Sequence, residues 1–210
     1  MKTISKLQYI TTSATLAEQA CKGGVDWIQL RLKNISYDDY RATALEVQAI
    51  CKKYNATFII NDNVKLALDL NADGVHVGKE DPLLPDDVEE MLKRNYIIGC
   101  TANSIEDFIH LSGKPVDYIG LGPFRFTNTK QNLSPVLGIE GYQRIFSEIK
   151  ERAMKVPPVI GIGGITEKDV TALLATGLHG IAVSGSITHA VNVTETAKEF
   201  NELVNKKKPK

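Results

Sequence analysis

Eight short β-rich runs alternate with helical patterns along this chain, and this alternation limits its possible folds more than any other feature. The longest helical pattern is Tyr37–Tyr54, which Ser36 would cap. Others are Ile139–Arg152, Thr194–Asn205 and a segment that begins near Thr166. Eight such units in 210 residues predict an α/β protein, a single-domain (β/α)8 TIM barrel. An open doubly wound sheet is the alternative, but no GxGxxG follows the first run. The predicted strands are Leu7–Thr11, Val25–Arg31, Thr57–Asn61, Gly74–Val77, Tyr96–Cys100, Asp117–Leu121, Pro158–Ile162 and Gly180–Val183.

Composition limits the setting in which this domain works. Lys and Arg together number 25, as do Asp and Glu, so the net charge of +0 gives no global basic field for nucleic acid or a membrane surface. We see no signal peptide and no run that could span a bilayer. Cys21, Cys51 and Cys100 lack metal or redox spacing, which favours reduced thiols in a cytoplasmic protein. We expect the barrel to occupy residues 1–205 and residues 206–210 to form a basic, frayed tail, and we make no prediction of the oligomeric state.

The run from Gln29 to Lys33 ends the second predicted strand with an amide and two cations. Successive side chains of a strand point to opposite faces, so Gln29, Arg31 and Lys33 would share one face and Leu30 and Leu32 the other. Buried cations are costly without partners. The run therefore predicts an anion site, although Arg31 could also form an internal ion pair.

Two carboxylates follow the next strands at the same end of the barrel, where barrel enzymes place their chemistry. Asp62 follows the third strand beside Asn61, and Asp81 follows the fourth. Such oxygen ligands suit Mg²⁺ together with substrate phosphates, while the alternative is that both are helix caps or loop acids. His76 lies within the fourth strand and is either a core histidine or a substrate contact.

A second anion site is predicted after the seventh and eighth strands. Barrels often bind a phosphate there through backbone N–H groups, and Gly163-Gly164 and Ser184-Gly185 occupy these positions, although two tight turns would give the same pattern. The long loop from Gly122 to Gly138 is a candidate lid. The pocket would thus hold one multiply charged anion with a metal and one single phosphate. Further polar candidates are Thr101 just after the fifth predicted strand and Thr127, Asn128, Thr129 and Lys130 in the loop.

With these motifs in order, the chain resembles the thiamine phosphate synthase family over essentially its full length. The matching stretches are Gln29–Lys33, Asn61-Asp62, Ala72–Gly78 with Glu80-Asp81, Asp117–Pro123, Thr127–Lys130, Gly163-Gly164 with its isoleucine neighbours, and Gly180–Val183.

The resemblance implies an activity and assigns the residues. The family joins 4-amino-2-methyl-5-hydroxymethylpyrimidine diphosphate to 4-methyl-5-(2-phosphoethyl)thiazole, or to its carboxylated form, giving thiamine phosphate and pyrophosphate. It implies that the reaction is dissociative, that Mg²⁺ is held by Asp62 and Asp81, and that Arg31, Lys33 and Lys130 act on the leaving group. Substrate contacts would come from Gln29, Leu30, Arg31, Leu32, Lys33, Asn61, His76, Thr101, Thr127, Asn128, Thr129, Lys130, Gly163, Gly164, Ser184 and Gly185.

Four positions depart from the family pattern, and two other functions are alternatives. Thr101, Asn103, Lys79 and Gly185 stand where Ser, His, Gln and Ser are usual. A thiazole tautomerase would want a histidine near position 103 and would need no diphosphate or metal site. A non-catalytic thiazole-phosphate-binding protein would not need the full set of charged residues.

Overall fold

A computed structural model describes residues 2–79, 84–126 and 135–206 and contains a closed barrel of eight parallel strands. Each strand pairs with the next along the chain, and the last pairs with the first, as Tyr9 opposite Val183 shows. The predicted (β/α)8 barrel is therefore confirmed, and the open sheet is wrong. The strands are β1 Leu7–Thr11, β2 Trp27–Leu30, β3 Thr57–Asn61, β4 Gly74–Val77, β5 Ile97–Ala102, β6 Tyr118–Leu121, β7 Val159–Ile162 and β8 Gly180–Val183.

The helices alternate with these strands, and four of the described ones, α1, α2, α3 and α9, begin at an N-cap side chain that accepts a backbone hydrogen bond. Ser36 caps α2 by accepting a hydrogen bond from the Asp39 backbone, and Asn55 ends the helix in the left-handed conformation. Thr166 precedes a 3-10 turn, Glu167–Asp169, which runs directly into the helix Val170–Ala175, so the helical segment predicted to begin near Thr166 is confirmed. The helices are α1 Ala14–Lys22, α2 Tyr37–Tyr54, α3 Val64–Leu70, α4 Pro85–Lys93, α5 Ile105–Leu111, α6 Gly138–Glu151, α7 Val170–Ala175, α8 Gly185–Thr188 and α9 Val193–Asn205.

Side chains alternate between two cores along every strand, as the strand period of two requires. Trp27, Ile59, Tyr118 and Ile160 belong to a small cluster that fills the barrel. Their neighbours, such as Ile28, pack outward in the larger core beneath the helices. The inward set faces the interior of the barrel.

Two strand bounds were wrong in a way that matters for the site. β2 ends at Leu30, so Arg31, Leu32 and Lys33 lie beyond it, and the alternating pattern that we extended to Lys33 does not apply to them. β5 runs on to Ala102, so Thr101 lies within the strand. In consequence, Gln29 alone among the three polar residues of the run Gln29–Lys33 is buried, and Lys33 is half exposed.

The three cysteines are free and buried, as the sequence predicted. Burial raises the pKa of the Cys21 and Cys100 thiols to about 11, so neither forms a reactive thiolate at neutral pH. Among the described helices, none combines the length and the apolar character needed to cross a bilayer.

Candidate active site at the carboxyl ends of the strands

A cation and a carboxylate meet where β2 and β3 end. Lys33 Nζ contacts Asp62 Oδ2, and the two residues line an open groove of about 410 Å³. Leu32, Tyr40 and Asn61 line the same groove. The structure thus brings Lys33, Asn61 and Asp62 together, as predicted, on the rim of the barrel.

Asp62 is held in an uncommon backbone conformation. Its φ of 62° lies in the left-handed region, which Asp and Asn tolerate better than other side chains. Its backbone N–H donates to the His76 carbonyl (2.8 Å), and its Oδ1 accepts from the Gly78 N–H (3.3 Å). The helix cap that follows is Asn63, not Asp62, so capping does not explain the carboxylate. Strained positions of this kind gather at functional sites.

Arg31 and its two leucine neighbours differ in what they can reach. Arg31 is half-buried just past β2, and its backbone N–H donates to the Thr11 carbonyl (3.0 Å). Leu30 is fully buried under the helices, so its side chain cannot contact a ligand, and its carbonyl accepts from the Tyr40 hydroxyl (2.8 Å). Leu32 packs partly against the same outer core but lines the groove.

A row of polar side chains crosses the barrel interior below the mouth. Gln29 Nε2 donates to Gln8 Oε1 (3.0 Å), and Gln8 Nε2 donates to the Tyr118 hydroxyl (3.2 Å). His76 continues the row through Nδ1, which is 3.0 Å from that hydroxyl, and through Nε2, which is 3.0 Å from Thr101 Oγ1. The five residues come from β2, β1, β6, β4 and β5, and four of them are almost fully buried.

Tyr118 holds the centre of this row because glycine leaves space for its ring. A Cβ at Gly99 would lie 2.2 Å from the Tyr118 ring, a separation that no real contact allows. Trp27 packs edge-on against the same ring, with 4.8 Å between centroids. The ring is therefore fixed from two sides, and its hydroxyl is aimed at His76.

The turn after β7 is formed by two glycines and is held by Arg125. Gly163 and Gly164 have φ of 102° and 66°, which glycine adopts without strain. Arg125 Nη1 donates to the Gly164 carbonyl (2.8 Å), and both terminal nitrogens of Arg125 bind Asp169 at 2.8 and 2.9 Å. Burial alone would raise the pKa of Asp169, but hydrogen bonds from Arg125 and Thr166 outweigh it and hold that pKa below its usual range.

Ser184 and Gly185 begin the short helix α8 after β8, both half-buried. An added Cβ at Gly185 would meet nothing closer than a His189 ring carbon at 3.7 Å, so a larger side chain fits there.

Two of the residues that depart from the family pattern, Lys79 and Asn103, bind neighbouring groups of the protein. Lys79 pairs with Asp107 (2.7 Å), and the Asn103 side-chain amide donates to the Gly122 carbonyl.

Five predicted site residues lie outside the described residues: Asp81, Thr127, Asn128, Thr129 and Lys130. Within the described part of the chain, no three His, Cys, Asp or Glu side chains group as a metal site. The magnesium site and the phosphate contacts of the loop therefore stay predictions.

Sequence reasoning missed Gln8, Tyr118 and the Arg125–Asp169 pair. A glutamine between two apolar residues of β1 was a signal that could have indicated a polar interior. Tyr118 gave no such signal, since an aromatic residue in a buried strand is ordinary core.

Comparison with known proteins gives a consistent result. A family model described as thiamine monophosphate synthase matches residues 3–187. The chain is 47% identical over 204 residues to a thiamine-phosphate synthase of Flavobacterium johnsoniae, covering 94% of this chain and 95% of that protein. It is 44% identical over 208 residues to one of Bacteroides thetaiotaomicron, with 96% and 97% covered. The solved thiamine phosphate pyrophosphorylase of Pyrococcus furiosus superposes with a TM-score of 0.79 at 30% identity, covering 95% of each chain.

Proposed function

Because the chain belongs to the thiamine monophosphate synthase family, we propose that it condenses the aminopyrimidine diphosphate with the thiazole phosphate to give thiamine phosphate and pyrophosphate. With the carboxylated form of the thiazole, CO2 is released as well. The observation that carries this proposal beyond family membership is the pair Lys33–Asp62 on the rim beside Arg31. A diphosphate needs cations, and a divalent metal bound beside it would need a carboxylate such as Asp62. A cytoplasmic location remains part of the proposal.

The reaction breaks the bond between the pyrimidine methylene carbon and the diphosphate oxygen, and the electron pair leaves with pyrophosphate. The thiazole nitrogen then supplies the pair that forms the new carbon–nitrogen bond. Negative charge therefore develops on the leaving group, and we assign its stabilisation to Arg31, Lys33 and Lys130. No protein nucleophile is needed, because positioning and electrostatics can supply the rate enhancement.

The described residues on the rim supply part of what a magnesium ion needs. Asp62 offers hard carboxylate oxygens, and Mg²⁺ commonly takes one or two carboxylates, with waters and substrate phosphates completing its octahedron. Asp62 and Asp81 would hold the ion, which when bound would neutralise charge on the departing pyrophosphate. Lys33 pairs with Asp62 in this structure, so we expect Lys33 to exchange that carboxylate for a phosphate oxygen when the diphosphate binds.

We assign the thiazole phosphate to the glycine turn after β7 and to Ser184 and Gly185. Gly163 and Gly164 carry no side chain that would keep a phosphate from their N–H groups. The Arg125–Asp169 pair holds the turn in place through the Gly164 carbonyl. Thr127, Asn128 and Thr129 complete the predicted contacts.

Isomerisation of the thiazole is the second candidate, and one observation weighs against it. A tautomerase needs a proton-transfer group near position 103, whereas Asn103 is an amide that donates to the Gly122 carbonyl.

One assay separates the two functions. The purified protein is incubated with the carboxylated thiazole phosphate alone, and then with the pyrimidine diphosphate and Mg²⁺ added. We expect no isomerisation in the first case and thiamine phosphate in the second. Isomerisation without synthesis would replace the synthase proposal. Arg31→Ala should abolish synthesis and leave the thermal unfolding curve in place, because its side chain is half-buried at the rim rather than in the core.

A further inference from the structure

The hydrogen bonds of the polar row through the barrel run in one donor-to-acceptor direction, and the Tyr118 hydroxyl links its two halves. Each member is linked to the next by a hydrogen bond of 3.0 to 3.2 Å. The Tyr118 hydroxyl accepts from the Gln8 amide, so its single proton is left for His76 Nδ1. Burial raises the pKa of Tyr118, so the phenol keeps that proton at any working pH.

The proton on Tyr118 selects one form of His76. With Nδ1 accepting from the phenol, a neutral imidazole carries its proton on Nε2. Nε2–H then donates to Thr101 Oγ1 at 3.0 Å. Because the Thr101 hydroxyl accepts this hydrogen bond from His76, its own proton is directed to a different partner.

The other end of the row is set by the same logic. Gln29 uses its amide N–H group for Gln8, and its side-chain carbonyl oxygen accepts no hydrogen bond from the described residues. An acceptor therefore stands on β2 and a donor on β5, at the two ends of one connected row.

We propose that this row, from Gln29 through Gln8, Tyr118 and His76 to Thr101, presets the polarity of two substrate contacts, and that Tyr118 is a positioning residue. The Gln29 oxygen suits an amino N–H of a heteroaromatic ring. The Thr101 hydroxyl suits a phosphate oxygen. The identity of these two groups as parts of one aminopyrimidine diphosphate rests on the proposed function, whereas the direction of the row does not.

The reversed row would be chemically different at both ends. His76 would carry its proton on Nδ1, the Tyr118 hydroxyl would donate to Gln8, and Gln29 would present its NH₂ group. The Thr101 hydroxyl would then donate to His76 and offer only a lone pair to a ligand.

The tautomer of His76 can be read directly in the substrate-free protein. The experiment records ¹⁵N–¹H long-range correlations of the imidazole rings, and a His76→Asn spectrum identifies the His76 signals among those of the four histidines. We expect a protonated Nε2 and an unprotonated Nδ1. A protonated Nδ1 overturns the proposal, and so does a doubly protonated ring.

Tyr118→Phe tests the positioning role, with Tyr96→Phe as the matched control. Tyr96 is equally buried and donates to the Ala67 carbonyl (3.0 Å), but it is not part of the row. In Tyr118→Phe we expect the His76 Nε2–H signature to be lost and kcat/KM for the pyrimidine diphosphate to fall about tenfold, the value of one hydrogen bond. KM for the thiazole phosphate should stay unchanged, and Tyr96→Phe should match the wild type.

The outcomes separate the two proposals. Equal losses in the two variants, or an unchanged His76 signal in Tyr118→Phe, would overturn the positioning role. If the wild type makes no thiamine phosphate, the proposed function fails, and the His76 tautomer of the wild type still decides the direction of the row. That measurement also stands if Tyr118→Phe does not fold.

Discussion

Replacing Asp62 by asparagine should separate its chemical role from its structural role. The ion pair with Lys33 is partly solvated, with the two side chains 50% and 22% exposed, and pairs of this kind contribute roughly 0–1 kcal/mol. Asparagine keeps an oxygen that can accept from the Gly78 N–H, and it tolerates the φ of 62°. The free energy of unfolding should therefore fall by at most about 1 kcal/mol, a Tm shift of about 2–4 °C.

Turnover should respond far more strongly than stability. Loss of a preorganised group that stabilises charge in the transition state costs about 10²- to 10³-fold in kcat. Because the missing charge is that of a proposed magnesium ligand, the Mg²⁺ concentration for half-maximal activity should also rise. The assay measures thiamine phosphate formation over a range of Mg²⁺, beside thermal unfolding of the same samples.

Glu18→Gln is the matched control. Glu18 pairs with Lys53 at 2.7 Å with similar exposure, and Lys53 lies where α2 leads into β3, at the opposite end of the barrel. This variant should keep wild-type turnover and Mg²⁺ dependence. The reasoning is refuted if Asp62→Asn keeps wild-type turnover at limiting Mg²⁺, or if its loss of activity merely follows a loss of folded protein.

Three further changes test other parts of the site. Gly99→Ala places a Cβ 2.2 Å from the Tyr118 ring and should lower the free energy of unfolding in urea by about 1–3 kcal/mol, and an unchanged value would contradict the packing described. Asp169→Asn should destabilise the protein at neutral pH. The lowered pKa of Asp169 beside Arg125 contributes stability at pH values above about 3.9, the pKa of an aspartate in the unfolded chain. The difference in stability between this variant and the wild type should shrink as the pH falls below about 4. A difference that stays constant with pH would show that the charge of the Asp169 carboxylate does not stabilise the fold. Gly185→Ser should leave Tm unchanged and lower KM for the thiazole phosphate a few-fold, because the new hydroxyl could donate one hydrogen bond to the phosphate. A raised KM would show that the phosphate binds elsewhere.

The barrel could be predicted because each strand has a recognisable local sequence pattern. The predicted bounds of β1, β3, β4 and β8 agree with the structure, as does the helix Tyr37–Tyr54. β2 was drawn too long because apolar alternation does not show where pairing stops. The ladder between β2 and β3 ends at Leu30 opposite Ile60, and the chain then turns into the loop that carries Lys33.

The rim of the site was predictable and its interior was not. Asn61 and Asp62 stand at the end of a strand whose bounds were right, so their meeting with Lys33 followed from the barrel. The contact between Gln8 and Tyr118 joins residues 110 positions apart in the sequence and across the barrel. Such a contact depends on the closure of the sheet and on the space left by Gly99, which no local pattern reveals.

Joint measurement of pyrophosphate and thiamine phosphate tests the central claim most directly. The two products are followed in one reaction while Mg²⁺ and the thiazole phosphate are each omitted in turn. The account predicts equal amounts of the two products when everything is present and neither product when one component is missing. Thiamine phosphate formed in excess chelator, or pyrophosphate released without the thiazole phosphate at the full rate, would contradict it.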